Sequence, residues 1–207
     1  MSPVNGKHTA VGADQLAFRF VAGNRALDLL STLGDRHRQP IERLRDPSDL
    51  DRWLHDAGLP VSRRARQRDL NAARRLRETA NRLIRATLAE DVPDSGDLRE
   101  LNEWARGQPL APQADLALQR SWVADQSVRA ALVLIAREAV ELLTGPDRSA
   151  IRECAAAPNC ALLYLDRSRA RRRRWCQMEV CGSRAKMTSY RRRRGVAAQP
   201  EAGAPDP

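Results

Sequence analysis

Lysine is almost absent from this chain, aromatic residues are few, and cysteine is confined to one short stretch. Of 36 basic residues only Lys7 and Lys186 are lysine. Arginine has replaced it throughout, which marks a composition bias. The choice of arginine over lysine therefore carries little functional meaning, while the total charge still does. Aromatics make up 4% of 207 residues, so a core has to be built from Leu, Val, Ala and Ile. No apolar run approaches the roughly 20 residues that a membrane-spanning helix needs. The N-terminus shows no apolar h-region and no cleavage pattern, so no membrane association is expected, and a reducing, cytoplasmic setting is.

Catalytic signatures are missing as well. There is no Gly-rich phosphate loop and no Ser-His-Asp order. His8, His37 and His55 are scattered, and the carboxylates show no catalytic pairing, so enzyme activity is not expected.

What is present lies mostly at one end. The net charge is +10, and its placement is uneven. Residues 1–149 hold 23 basic and 21 acidic side chains, a balance of +2, whereas residues 150–207 hold 13 and 5, a balance of +8. A local positive field of this kind attracts a polyanion and gives salt-dependent binding.

All four cysteines lie in the same region: Cys154, five residues, Cys160, fifteen residues, Cys176, four residues, Cys181. Zinc prefers a tetrahedral shell of soft donors, and four thiolates make a closed, structural site with no position open to substrate. The competing readings are two disulfides, which need an oxidising compartment, and four unrelated thiols. Zinc pairs are usually roughly two to four residues apart, so the first pair is wide. Pro158 and Asn159 offer turn chemistry before Cys160, and Gly182 offers backbone freedom after Cys181. Ala161 to Leu165 reads as a strand, and Arg171 to Trp175 as its hairpin partner. Ser183 to Arg194, free of Pro and Gly, reads as a helix with Ser183 as N-cap. Knuckle, β-hairpin, knuckle and helix is the order of a treble-clef zinc module.

The preceding residues read as mainly α. Helices are expected over Asn24–Leu33, after Pro47 with Ser48 as cap, from Ser62 to about Ala89, over Asp97–Arg106 and over Gln126–Leu143. Gly34 is expected to cap the first of these. A short strand pair fits Leu110 with Leu116 to Trp122. The long helix sets Leu70, Ala73, Leu76, Ala80, Leu83 and Ile84 against a face rich in arginine, which reads as solvated. A second nucleic-acid surface is the alternative. The expected organisation is a mobile arm (1–13), a helical domain (14–145), a zinc finger (146–195) and a disordered tail (196–207).

Leu165-Asp166-Arg167-Ser168-Arg169, Arg173-Arg174-Trp175-Cys176, Met178 and Cys181-Gly182-Ser183-Arg184-Ala185-Lys186, together with Cys154, Ala155, Pro158 and Cys160, resemble the CGNR-type zinc finger. That family carries its finger after a helical domain named ABATE, and its members are regarded as stress-responsive transcription regulators. Leu27-Asp28-Leu29-Leu30-Ser31-Thr32 resembles the Leu-Asp-Phe-x-Asn-Thr motif of ABATE, with Leu29 for Phe and Ser31 for Asn. In the finger, Ser183 stands where the family has Asn.

These readings converge on a zinc-dependent DNA-binding transcription regulator with one structural Zn2+ held by Cys154, Cys160, Cys176 and Cys181. Arg172, Arg173, Arg174, Arg184, Lys186, Arg191, Arg192, Arg193 and Arg194 are the candidate nucleic-acid contacts, with Arg184 and Lys186 nearest base edges. The resemblance implies a small-molecule effector site near Asp28, Ser31 and Thr32, for which helix–helix hydrogen bonding is the plainer role. RNA binding and protein–protein assembly are the alternatives, and a homodimer is compatible with every one of these readings.

Overall fold

Asn24 sits in extended backbone, and its side-chain oxygen accepts the N–H groups of Ala26 and Leu27 at 2.8 and 3.4 Å. It thereby caps α2 (Arg25–Leu30), which follows a short turn of helix, α1 (Ala13–Leu16). The computed structural model describes residues 13–123, 127–157 and 160–193. The expected arm before Ala13, the Pro158–Asn159 turn, Arg194 and the tail lie outside the described residues.

Helix α2 stops three residues earlier than its apolar pattern predicts. The Ser31 hydroxyl donates to the Asp28 carbonyl at 2.7 Å, and the Thr32 hydroxyl donates to the Leu29 carbonyl at 2.6 Å. Such local bonds compete with the helical ladder. Leu33–Gly34 then forms β1, paired antiparallel with β2 (Ile41–Glu42), so Gly34 belongs to a strand rather than a helix cap. A side chain at Gly34 would collide with the guanidinium of Arg43.

The cap of α3 (Pro47–Asp56) is Asp46, not Ser48. Asp46 and Asp49 form a reciprocal capping box with Pro47 at the first helical position, and the Ser48 N–H simply donates to Asp46 Oδ1. Helix α4 runs over Gln67–Ala89. Its start falls later than Ser62 because Asp51 Oδ1 accepts the Ala65 N–H at 2.8 Å and pins the approach. Asp94 caps α5 (Ser95–Ala105) and Ser127 caps α6 (Val128–Thr144). Between them, β3 (Ala111–Ala114) and β4 (Arg120–Val123) pair as an antiparallel hairpin, close to the expected strand pair.

Helices α4, α5 and α6 pack on one another, and α2 is wedged against α4 and α6. Leu27, Leu29, Leu70, Leu76, Leu83, Ile84 and Trp53 are fully buried there, each contributing about 1.5–3 kcal/mol through loss of apolar surface from water. Among the described residues, no helix is long and apolar enough to cross a membrane.

The arginine face of α4 is not simply solvated. Arg77 is 3% exposed. It grips Glu42 through two bonds of 2.7 Å and donates to Glu78 at 2.7 Å and to Thr32 at 3.1 Å. Arg74 donates to the Leu44 carbonyl, Arg82 pairs with Asp97, and Arg85 reaches Glu153. Arg63, Arg64, Arg66 and Arg68 are exposed.

A 3-10 turn (Pro146–Ala150) leads from α6 into β5 (Ile151–Glu153), which pairs antiparallel with β6 (Leu163–Leu165). A turn of π-helix (Met178–Gly182) then runs directly into α7 (Ser183–Arg193). One hydrophobic core continues from Leu27 and Leu83 through Leu163 and Tyr164 to all four cysteines.

Candidate metal centre and its basic surround

The first cysteine pair occupies the loop of the β5–β6 hairpin. Cys154 directly follows β5, and its N–H donates to the Leu162 carbonyl at 3.0 Å, which extends the ladder by one step. The loop has to return the chain to β6 as well as present two sulfurs, and this accounts for the wide spacing. Cys176 lies just before the π-helical turn and Cys181 within it. The N–H groups of Cys181 and Gly182 both donate to the Gln177 carbonyl, at 3.0 and 3.2 Å.

Two sequence expectations are corrected here. Helix α7 has no N-cap at Ser183, because Ser183 already has helical backbone angles and the preceding turn is continuous with it. Gly182 does not supply unusual backbone freedom. A side chain at this position would meet Met178 and approach Trp175, so close packing is what excludes one.

All four sulfurs are buried and lie within 4.8 Å of one another. Cys160 Sγ is 3.7 Å from Cys176 Sγ, which is 3.6 Å from Cys181 Sγ. A disulfide would hold two sulfurs about 2.0 Å apart. Four sulfurs about 2.3 Å from a shared tetrahedral centre lie about 3.8 Å apart, so the cluster fits zinc.

Proton chemistry points the same way. Hydrogen bonding from Cys176, with further donors around it, brings the Cys160 thiol down to about 5. Burial and the Cys160 charge push Cys181 up to about 12, and the hydrogen bond to Cys160 together with burial pushes the Cys176 thiol up as well. A zinc ion supplies the positive charge that lets buried thiolates ligate together.

The segment 171–175 is not the second strand of a hairpin, because β6 already pairs with β5 and side chains capture the arginine loop instead. Asp166 is fully buried. Its Oδ1 accepts from the hydroxyl and N–H of Ser168 at 2.6 and 3.0 Å, and its Oδ2 accepts the Arg173 N–H at 2.9 Å. The Ser168 hydroxyl is the main cause holding the Asp166 carboxyl below the usual range. Tyr164 donates its hydroxyl to the Arg173 carbonyl at 2.5 Å, and burial pushes its pKa up to about 12. The Ala155 N–H donates to the Arg174 carbonyl at 2.8 Å, tying this loop to the first knuckle.

Arg173 is exposed and is also tied to this scaffold. Its guanidinium stacks on Tyr164 at 4.7 Å and donates to the carbonyls of Trp175 and Cys176. Arg172 and Arg174 are exposed beside it, Arg174 over the Trp175 ring at 5.1 Å. Arg184, Lys186, Arg191 and Arg193 are exposed along α7, which also carries Arg192. The helix is held at its base by the π-helical turn.

The ABATE-type residues are gathered at α2, where their side chains serve the fold. Asp28 Oδ1 accepts the Ala22 N–H at 3.0 Å, and burial pushes the Asp28 carboxyl up to about 6. Ser31 and Thr32 make the helix-ending bonds described above, and Thr32 also accepts from Arg77. Sequence reasoning missed Tyr164, Arg77 and Asp166 as organisers. The Asp-x-Ser spacing of Asp166 and Ser168 is the one local signal that identifies the turn-capping carboxylate.

A helical bundle that shares its core with a four-thiolate knuckle pair defines a zinc-stabilised helical protein. Residues 23–146 match the ABATE family, described as a "putative stress-induced transcription regulator", and residues 150–194 match the CGNR zinc finger. The chain belongs to the ABATE family and carries a CGNR zinc finger that binds one structural Zn2+. A search of curated proteins found no match. Neither matched family is described as an enzyme family.

Proposed function

We propose that the chain is a zinc-dependent DNA-binding transcription regulator, with residues 146–195 as the DNA-contacting finger and residues 14–145 as the sensing unit. The observation that carries this reading is the exposure of Arg172, Arg174, Arg184, Lys186, Arg191 and Arg193 on one small metal-held module. The module has a balance of +8 over residues 150–207 and nothing comparable precedes it. Helix α7 buries almost none of its own surface, so its composition is free to serve a partner. Most of its cations would contact phosphates, which position without specifying. Arg184 and Lys186, nearest the knuckle, would reach base edges. Arg192 and Arg194 extend the same basic run in sequence.

Single-stranded RNA is the weaker alternative. RNA modules stack bases on exposed aromatics. Tyr164 is fully buried and Trp175 half-buried, which leaves Tyr190 as the exposed finger aromatic. The test is a duplex-DNA mobility shift on metal-quantified protein, with and without chelator, across a salt series and with competitor RNA. One zinc per chain and chelator-sensitive, salt-dependent DNA binding are expected. Full zinc occupancy without DNA binding at low salt would refute the reading. Preference for the RNA competitor would replace it.

A further inference from the structure

Where the finger meets the helices there is a partly enclosed cavity of about 120 Å³. Arg19, Ser31 and Arg43 line its helical side, and Cys160, Leu162 and Arg184 line its finger side. Asp35 is the carboxylate in the wall.

Arg43 sets the chemistry. It is 5% exposed. Its Nη1 donates to the Ser31 carbonyl at 2.9 Å, and its Nε–H has no acceptor among the described residues. Its sequence neighbour Glu42 is turned to Arg77 and Arg74 and offers it no ion pair. Burial, and then repulsion from Arg19, hold the Arg43 guanidinium below the usual arginine range. A buried cation is stable when it is paired and hydrogen-bonded, and among the described residues this one is short of both. Asp35 and Glu42 attract the guanidinium, but neither lies within ion-pair distance of it. Four thiolates close the zinc shell, so an anion in the cavity would not be a metal ligand.

We propose that this cavity binds a small oxyanion, the carboxylate or phosphate of a metabolite, held by the guanidinium groups of Arg43, Arg19 and Arg184. A guanidinium matches the two oxygens of either group. The cavity is then the effector site of the sensing unit, a meaning that rests on the regulator reading above. Arg184 stands at the start of α7, so an oxyanion that draws its side chain into the cavity removes it from DNA. Occupancy therefore weakens DNA binding.

The test is calorimetric titration of the zinc-loaded full chain with inorganic phosphate in one arm, citrate and acetate in the other, and chloride at matched ionic strength as control. Saturable binding of one oxyanion per chain is expected, weakened about tenfold or more in Arg43→Met by loss of the charged fork. Arg184→Ala, at an exposed position, weakens it severalfold and carries the test if circular dichroism shows Arg43→Met unfolded. No saturable heat up to about 10 mM in either arm overturns the site, as does affinity unchanged in the folded variants. The DNA mobility shift is run separately. A chain that binds DNA but no oxyanion loses this site alone, and one that binds the oxyanion but no DNA loses the regulator reading alone. DNA affinity unchanged by a saturating oxyanion overturns the effector role.

Discussion

The backbone N–H of Leu165 donates to the carbonyl of Ala22 at 2.8 Å, and the N–H of Ala22 donates in turn to the Asp28 carboxylate at 3.0 Å. Two hydrogen bonds thus run from the strand beside the zinc knuckle to the helix that opens the ABATE match. Gly23 follows Ala22 with φ +79°, a left-handed backbone conformation that favours glycine, and it lies in ordinary contact range of Leu165. Because the same hydrophobic core holds the cysteines, a perturbation at the metal reaches the helices by direct packing.

Zinc removal is therefore predicted to destabilise the helical bundle as well as the finger. Structural zinc sites contribute several kcal/mol or more to folding, and about 1 kcal/mol moves the midpoint of a domain this size by roughly 2–4 °C. Chelation is expected to lower the far-UV circular dichroism melt by about 10 °C or more. Cys176→Ser is expected to do the same without chelator. A helical transition that stays in place would show the two parts to be energetically separable.

Asp28 gives a pH signature with a definite sign. Burial raises its carboxyl from 3.8 to about 6, against the lowering effect of the Ala22 and Val21 N–H groups. A folded pKa above the unfolded one means that the native state holds the proton more tightly. The contribution is full below about pH 4 and is lost as pH rises through about 6. Asp28→Asn keeps an acceptor for the Ala22 N–H and removes the titration. The variant is expected to exceed the parent at pH 7.5 by up to about 3 kcal/mol, and the gap should narrow as pH falls towards 5. Urea midpoints of both proteins across that range provide the check, and a gap that widens at low pH would refute the assignment.

Much of this architecture can be read from the chain because local rules govern it. The apolar spacing of Leu70, Ala73, Leu76, Ala80, Leu83 and Ile84 places α4, and the four cysteines in one basic stretch identify the metal centre. The residues that escaped act through distant partners. Arg77 looks like any other arginine on a polar face until β2 brings Glu42 against it. The loop 171–174 looks like a strand until Asp166 and Tyr164 capture the backbone of Arg173. The length of α2 was misjudged because Ser31 and Thr32 end it with side-chain bonds that apolar periodicity does not register.

Arg77 yields a stability prediction of its own. It satisfies Glu42, Glu78 and Thr32 together from a buried position. Burial opposes its charge, yet the bonds to Glu42 and Glu78 raise its pKa above the ordinary value. Replacing one partner of a buried pair costs about 3–5 kcal/mol. The carboxylates here keep partial access to water, so Arg77→Met is expected to cost about 2–4 kcal/mol, read as a lower urea midpoint with unchanged slope. A loss below about 0.5 kcal/mol, the range of an ordinary surface substitution, would mean that the network is worth no more than an exposed pair.

Neighbouring arginines of the finger should behave differently under the DNA-binding reading. Arg172 is exposed with its guanidinium directed to no scaffold group described above, whereas Arg173 is bound to the Tyr164 ring and to the carbonyls of Trp175 and Cys176. Removing one phosphate contact lowers the slope of log K against log salt by about one unit. Arg172→Ala is expected to show that loss with zinc retention unchanged. Arg173→Ala frees the carbonyl beside a zinc ligand and uncovers Tyr164. It is expected to release zinc faster to a competing chelator, and to weaken DNA binding in proportion to the metal lost. Measuring slope and zinc release on both variants separates a contact from a support, and equal effects of the two substitutions would show that the arginine loop acts as undivided charge.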